Sequence, residues 1–225
     1  MRIDCHLHTS RYSACSRMEP ETACRTALER GLDAVVLTEH QRQWPGEEIQ
    51  ALRRSFPHLA LYNGLEATLD NGVDVVVIAR DQELRVPFGL SPKSFFSSQW
   101  FDLESSFLFL AHLYRWSTLP PFGLEAMAPL VHGLELNSVN ILRGQFRLDN
   151  GWYAPRSETA YLQTLKRFGL RGLFNSDAHE ADAVGSLANE VHREAPPASE
   201  TELASLLKKT AVEEHQDPAL LGRLL

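Results

Sequence analysis

Short apolar runs rich in Val, Leu, Ile and Phe alternate along the chain with longer stretches whose apolar residues recur at helical spacing, the pattern of βα units. Strands are expected at Arg2 to Cys5, Asp33 to Thr38, Leu59 to Asn63, Val73 to Ala79, Phe107 to Ala111, Gly133 to Asn137 and Gly172 to Asn175. Helices are expected over Pro20 to Arg30, Gly46 to Ser55, Lys93 to Glu104, Ser157 to Phe168 and Glu200 to Lys209. The first has Pro in its opening turn and Gly31 behind it, the usual start and stop residues. Pro and Gly mark loops between Arg80 and Pro92 and between Trp116 and Pro121.

No repeat or low-complexity tract divides the chain, and its 225 residues suffice for one sizeable core, so a single domain over 1–225 is expected. Pro196-Pro197 reads as a linker into a closing amphipathic helix around ELASLLKK. Leu220, Leu221, Leu224 and Leu225 beyond it either pack on the body or mediate self-association.

Residues able to hold metal follow the expected strands. His6 and His8 lie after the first, His40 after the second, Glu66 after the third, His112 after LFLA, Glu135 at GLEL, and Asp177 with His179 after the last. In a parallel barrel the carboxyl ends of the strands converge on one face, which brings residues from His6 to His179 into one pocket. Taken singly, each has an ordinary reading. H-x-H can be two polar residues at a loop entrance, Glu39 can cap a helix, His112 can be a hydrogen-bonded core histidine, and Asn175 to His179 can be a turn. Their shared topological position is what points to a metal cluster. The other histidines, His58, His132, His192 and His215, fall in ordinary helical and core positions.

The local spacing suits ligation. An extended chain points residues i and i+2 to the same side, so His6 and His8 can reach one ion, and Asp177 with His179 repeats the geometry. A carboxylate such as Glu66 can bridge two ions. Mixed imidazole and carboxylate donors suit Zn, Mn or Fe(II) without selecting among them.

Composition narrows the function further. With 44% hydrophobic and 23% charged residues the chain is globular rather than disordered. A net charge of −7 argues against a broad basic surface for duplex nucleic acid. It leaves room for a small phosphorylated ligand, because bound metal adds positive charge. Cys5, Cys15 and Cys24 do not form a disulfide framework, and a reducing cytoplasm is the expected setting. No secretory leader and no run of 18 apolar residues is found, so neither export nor membrane insertion is expected.

The segments HLHT, GLDAVVLTEH, GLEATL, LAHLYR, GLELNS and NSDAH, in this order from Arg2 to about Gly185, resemble the PHP family, named for polymerase and histidinol phosphatase. The resemblance implies a distorted TIM-like (β/α)7 barrel and a trinuclear metal centre that hydrolyses phosphoesters. It would have His6 and His8 hold one ion with Glu66 and Asp177, with Glu66 bridging to a second ion on His112. A third ion would take His40 and His179, with Cys15 the nearest candidate for a further ligand from the loop after HLHT. The chain departs from the family at Glu39, where T-D-H has aspartate, and at Leu113, where A-H-P has proline. Asp81 is the candidate where some members place a histidine after the fourth strand.

The function so implied is phosphoester hydrolysis by a metal-activated water at two or three divalent ions, with Asp177, Glu66 and Arg115 as the catalytic set. Of Arg17, Arg42, Arg80 and Arg115, each in or beside a ligand-bearing loop, Arg115 is the first choice to hold the nonbridging oxygens. Glu135 either orients a ligand or lines the barrel mouth. Small phosphomonoesters such as histidinol phosphate, nucleotides and short oligonucleotides are the expected substrates. Phe88, Phe95, Phe96 and Trp100 offer either a stacking surface or ordinary packing. Two rivals remain: an amidohydrolase-type enzyme acting on C–N bonds, and a metal-binding module with a protein partner. The first commonly uses a bridging lysine, whereas Lys93, Lys166, Lys208 and Lys209 all fall in expected helices.

Overall fold

The computed structural model describes residues 1–97 and 100–225. In chain order its elements are β1 (Arg2–Leu7), α1 (Pro20–Glu29), β2 (Ala34–His40), α2 (Gly46–Ser55), β3 (Ala60–Thr68), β4 (Asp74–Ile78), α3 (Pro92–Phe96), β5 (Phe107–Ala111), α4 (Leu124–Met127), β6 (Gly133–Asn137), α5 (Val139–Gly144), β7 (Phe146–Asp149), β8 (Trp152–Pro155), α6 (Glu158–Phe168), β9 (Arg171–Phe174), β10 (Leu187–Glu190), α7 (Glu200–Lys209), β11 (Glu213–Gln216) and α8 (Pro218–Leu224). Every expected strand is present. The helix expected over Lys93 to Glu104 is realised as the short α3; Ser98 and Gln99 of that range lie outside the described residues, and 100–104 is turn and bend.

The sheet order β11-β10-β1-β2-β3-β4-β5-β6-β9 curls into a nearly closed barrel whose wall runs from β1 to β9, with β10 and β11 continuing past β1. Five of its strands are buried along nearly their whole length, as expected where helices cover the outside. The wall is parallel except for β4, which runs antiparallel to both β3 and β5. That reversal places Asp74, the first residue of β4, opposite Ala111, the last of β5, at the end of the barrel where the other strands finish. Gly64 in β3 faces this crowded interior: a Cβ there would meet Val36 Cγ1 at 2.8 Å and the Val77 carbonyl at 3.0 Å, so only glycine fits.

Between β1 and β9 the ladder is only partly backbone. At the upper end Asp177 N donates to the His6 carbonyl and His8 N to the Ala178 carbonyl, both at 2.9 Å. Below, side chains bridge the gap. Asn189 of β10 accepts from Phe174 N (2.9 Å) and donates to the Ile3 carbonyl (3.1 Å) and to Asn175 Oδ1 (2.9 Å). Asn175 Oδ1 also accepts from Cys5 N, at 3.0 Å. The side chains of Asn175 and Asn189 thus supply, in the lower part of this seam, the partners that burial demands.

Ile3, Cys5, Val36, Tyr62, Val76, Ile78, Phe107, Phe109 and Leu173 form one apolar cluster with Leu203, Ala204 and Leu207 of α7. The C-terminal amphipathic helix thus packs against the barrel as the sequence suggests, from Ser199, whose hydroxyl accepts from Glu202 N. Leu221, Leu224 and Leu225 pack into the cluster beneath α1 and α2 rather than standing free. No helix among the described residues is long and apolar enough to cross a membrane.

Candidate metal centre

A β-bulge aims the first two candidate ligands. Asp4 pairs with Val35 and Leu7 with Leu37, so β1 carries one residue more than β2 over this stretch. The extra residue shifts the alternation and turns His6 and His8 toward Glu66, a common use of bulges beside active sites. His40 ends β2, and Glu66 lies in β3 directly opposite it in register. His112 and Asp177 follow β5 and β9 with φ of 30° and 49°, left-handed values that non-glycine residues avoid. Two strained residues, both at the ends of barrel strands and both aimed at the same carboxylate cluster, are the kind of outlier that marks function.

The expected ligands come together. Ligand atoms of three triads, His6–His8–Asp177, His6–Glu66–His112 and His8–His40–His179, lie within 4.8 Å of one another. Glu66 spans two of these sides: Oε1 lies 3.4 Å from His6 Nε2 and 3.1 Å from His112 Nε2, while Oε2 lies 3.3 Å from His8 Nε2 and 3.1 Å from His40 Nδ1. Cys15 Sγ lies 3.2 Å from His40 Nε2, on the side of the third triad.

Neighbouring groups fix the tautomers. His6 Nδ1 faces Glu135 Oε1 at 3.1 Å, and a carboxylate only accepts, so this nitrogen carries the proton. Ser13 donates its hydroxyl proton to Glu39 at 2.5 Å, so it accepts from His8 Nδ1, at 3.3 Å. His179 Nδ1 donates to the Asp177 carbonyl at 3.0 Å. In the neutral form of all three rings Nε2 keeps a lone pair. The lone pairs of His6 and His8 converge at 3.0 Å, and Asp177 Oδ1 stands 3.5 Å from both, buried and without a hydrogen-bond partner among the described residues. Donors alone, with nothing to donate to them, fit a cation.

The electrostatics agree. Burial alone would raise the pKa of Glu66, yet His6, His112 and His40 hold it well below the carboxylate range; His6 and His8 do the same for Asp177. Burial opposes charge on His6, but Asp177, Glu66 and Glu135 outweigh it and push its pKa well up. His112 rises to about 9 and His40 to about 10, burial again being outweighed, by Glu66 and, for His40, by Cys15. The Cys15 thiol falls to about 6: burial raises it, but hydrogen bonds with His179 and His40 prevail. The cluster draws positive charge to itself.

Other expectations fare unevenly. Glu135 faces Nδ1 of the candidate ligand His6 at 3.1 Å and accepts from His112 N at 3.1 Å. Arg115 lies beside the cluster, its Nη2 3.4 Å from Asn140 Oδ1, while Asn140 Nδ2 donates to Asp177 Oδ2 at 2.6 Å. Arg17 is exposed and joins the site only by its backbone, which donates to the His179 carbonyl. Arg42 lies over the Tyr12 ring, its Cζ 3.9 Å from the centroid. Asp81 is not at the centre. Because β4 is antiparallel, its carboxyl end points away, and Asp81 instead accepts from Asn63 Nδ2 at 2.9 Å and faces Arg53. Arg80 lines the same separate cavity, about 650 Å³, with Arg53, Asp81 and Glu200. Of the four aromatics, Phe95 is buried in the core, Phe96 and Trp100 pack against it, and Phe88 alone is exposed.

Three contributors escape the sequence pattern, and a fourth, Glu39, has a role other than the helix cap that it suggests. Asp74 sits where Asp81 was expected, its Oδ2 3.7 Å from His112 Nδ1 and its buried Oδ1 without a partner among the described residues. The signal would have been a β-hairpin between Glu66 and Val77, which the Asp70-Asn71-Gly72 turn residues offered. Asn140 and Ser13 carry no local signal. Glu39 is no ligand; it accepts from Thr9 and Ser13 at 2.5 Å and from Trp44 Nε1 at 3.0 Å, tying the HLHT loop down.

Residues 162–212 match the family model described as PHP-associated (PHP_C). No curated protein matches the chain. Among solved structures, PsfC from Pseudomonas syringae PB-5123 superposes with a TM-score of 0.68 at 16% identity, covering 99% of this chain and 95% of its own. A two-domain protein containing a predicted PHP-like metal-dependent phosphoesterase from Bacteroides vulgatus gives 0.64 at 16% identity, over 95% of this chain and 64% of that one. An amidohydrolase from Chromobacterium violaceum, with bound sulfate and no metal, gives 0.54 at 16% identity, over 91% and 97%. At these identities the superpositions establish the fold.

Proposed function

We propose that the chain is a member of the PHP family and a metal-dependent phosphoesterase acting on a small phosphomonoester or nucleotide. The observation that carries the reading is the convergence of His6 Nε2, His8 Nε2 and the partnerless Asp177 Oδ1. His6, His8, Glu66 and Asp177 would hold one divalent ion, Glu66 and His112 with Asp74 a second, and His40, His179 and Cys15 a third. Zn, Mn and Fe(II) all suit this donor set. When bound, such ions polarise the ester and lower the pKa of water.

The chain's own groups do the rest. Glu135 and Ser13 keep His6 and His8 in the ligating tautomer. Asn140 holds one oxygen of Asp177, leaving Oδ1 for the cluster. Arg115, tethered to Asn140 on one edge and with a buried Nε that has no partner among the described residues, would take nonbridging phosphate oxygens. The three free thiols suit a reducing cytoplasm.

The likeness to an amidohydrolase keeps C–N hydrolysis as the second reading. Chain loaded separately with Zn, Mn or Fe(II) is to be offered an aryl phosphate and an N-acyl amide. Metal-dependent phosphate release that chelator abolishes is expected. Hydrolysis of the amide without release of phosphate would replace this reading with the second.

A further inference from the structure

Resting on the phosphoesterase reading, we propose that Trp116 is the platform for the alcohol portion of the substrate, selecting esters that carry a flat aromatic or heteroaromatic ring. Trp116 follows the candidate ligand His112 by four positions and is 77% exposed, a costly position for the largest side chain. The loop that carries it is nonetheless held in place. Arg115 N donates to the His112 carbonyl at 3.0 Å, Tyr114 N to the Tyr161 hydroxyl at 2.9 Å, and Gln145 Nε2 to the Tyr114 carbonyl at 2.5 Å.

The end of α5 presses on the same loop. A Cβ on Gly144 would stand 3.0 Å from the Arg115 carbonyl and 3.5 Å from Trp116 Cζ3, so the glycine lets the loop approach. The Arg115 guanidinium lies over the indole, 4.5 Å from the ring centroid, and its edge reaches Asn140, which in turn holds Asp177. The Arg115 cation is thereby shared between an aromatic face and the cluster that would hold the phosphorus. A phosphate gripped by Arg115 leaves its alcohol group beside the indole, and a flat ring there stacks where a puckered or short chain cannot.

The test uses two phosphonates, whose C–P bond a phosphoesterase does not cleave: benzylphosphonate and cyclohexylmethylphosphonate, matched in carbon count but flat and puckered respectively. Binding to Zn-loaded chain is measured by calorimetry for wild type, Trp116→Ala and Trp116→Phe, beside aryl phosphate hydrolysis. Wild type should bind the flat phosphonate on the order of tenfold more tightly, as for single aromatic stacks. The preference should vanish in Trp116→Ala and largely return in Trp116→Phe. Equal affinities in wild type, or a preference that survives Trp116→Ala, would overturn the platform while hydrolysis leaves the phosphoesterase standing. Failure of both phosphonates to bind, together with no hydrolysis, would take down the functional reading and the platform with it.

Discussion

Two buried polar clusters lie on the same seam between β1 and β9, and they are built on opposite plans. In the lower one, Asp4, Asn175, Ser176 and Asn189 exchange hydrogen bonds until each donor has an acceptor. Asp4 accepts from His6 N, Ser176 N and the Ser176 hydroxyl. In the upper one, acceptors face acceptors: the Nε2 atoms of His6 and His8 and the Oδ1 of Asp177 converge with no donor among the described residues. The lower cluster is complete as protein, whereas the upper one leaves acceptors without donors, an arrangement that suits a cation. Buried polarity by itself therefore does not mark a site; its state of satisfaction does.

The histidines repeat the contrast. His132, before β6 at the other end of the barrel, accepts from Leu108 N at 3.0 Å through Nδ1 and is held neutral, burial first and Lys208 second lowering its pKa to about 4. His112 and His40, among carboxylates, are pushed upward.

Substitutions should separate the two plans. The largest effect is expected from Glu66→Gln, which removes the charge facing four imidazoles; metal-dependent hydrolysis should disappear while circular dichroism stays that of wild type. Next, Glu135→Gln weakens the acceptor that orients His6 and should reduce metal affinity by roughly 10–100-fold, read by competition with a chromogenic chelator. Ser13→Ala should act in the same direction through His8. In the lower cluster Asn189→Ala leaves Phe174 N without its acceptor and the Ile3 carbonyl without this donor, and should cost roughly 2–4 kcal/mol in urea unfolding without changing metal affinity. A loss of metal affinity as large as that in Glu135→Gln would erase the distinction drawn here.

The smallest effect concerns His132. Between pH 6.5 and about 4 the unfolded chain binds a proton that the folded ring refuses, so the stability it contributes is present above 6.5 and lost as pH falls. Urea unfolding at pH 7 and pH 5 should show a smaller drop for His132→Gln than for wild type. An equal drop would place the pH dependence elsewhere.

Much of this was legible in the sequence because ligands and strands share a period: HLHT, TEH and SDAH each announce a strand end and a donor at once. What depended on direction or distance was not. Asp81 for Asp74 is one such error, made by taking β4 as parallel; the helix to Glu104 is another, since propensity extends a helix that tertiary packing stops at Phe96. The β7–β8 hairpin did carry a signal in Asn150-Gly151, whose φ of 49° and 87° suit a tight two-residue turn. Asn140 and Ser13 touch the site only through contacts far apart in sequence, and no local pattern points to them.

The most direct test is the metal content of chain purified without chelator, measured by elemental mass spectrometry for wild type and Asp177→Asn. Two or three divalent ions per wild-type chain and fewer in the variant are predicted. Wild-type chain that holds no ion under any loading condition would contradict the account.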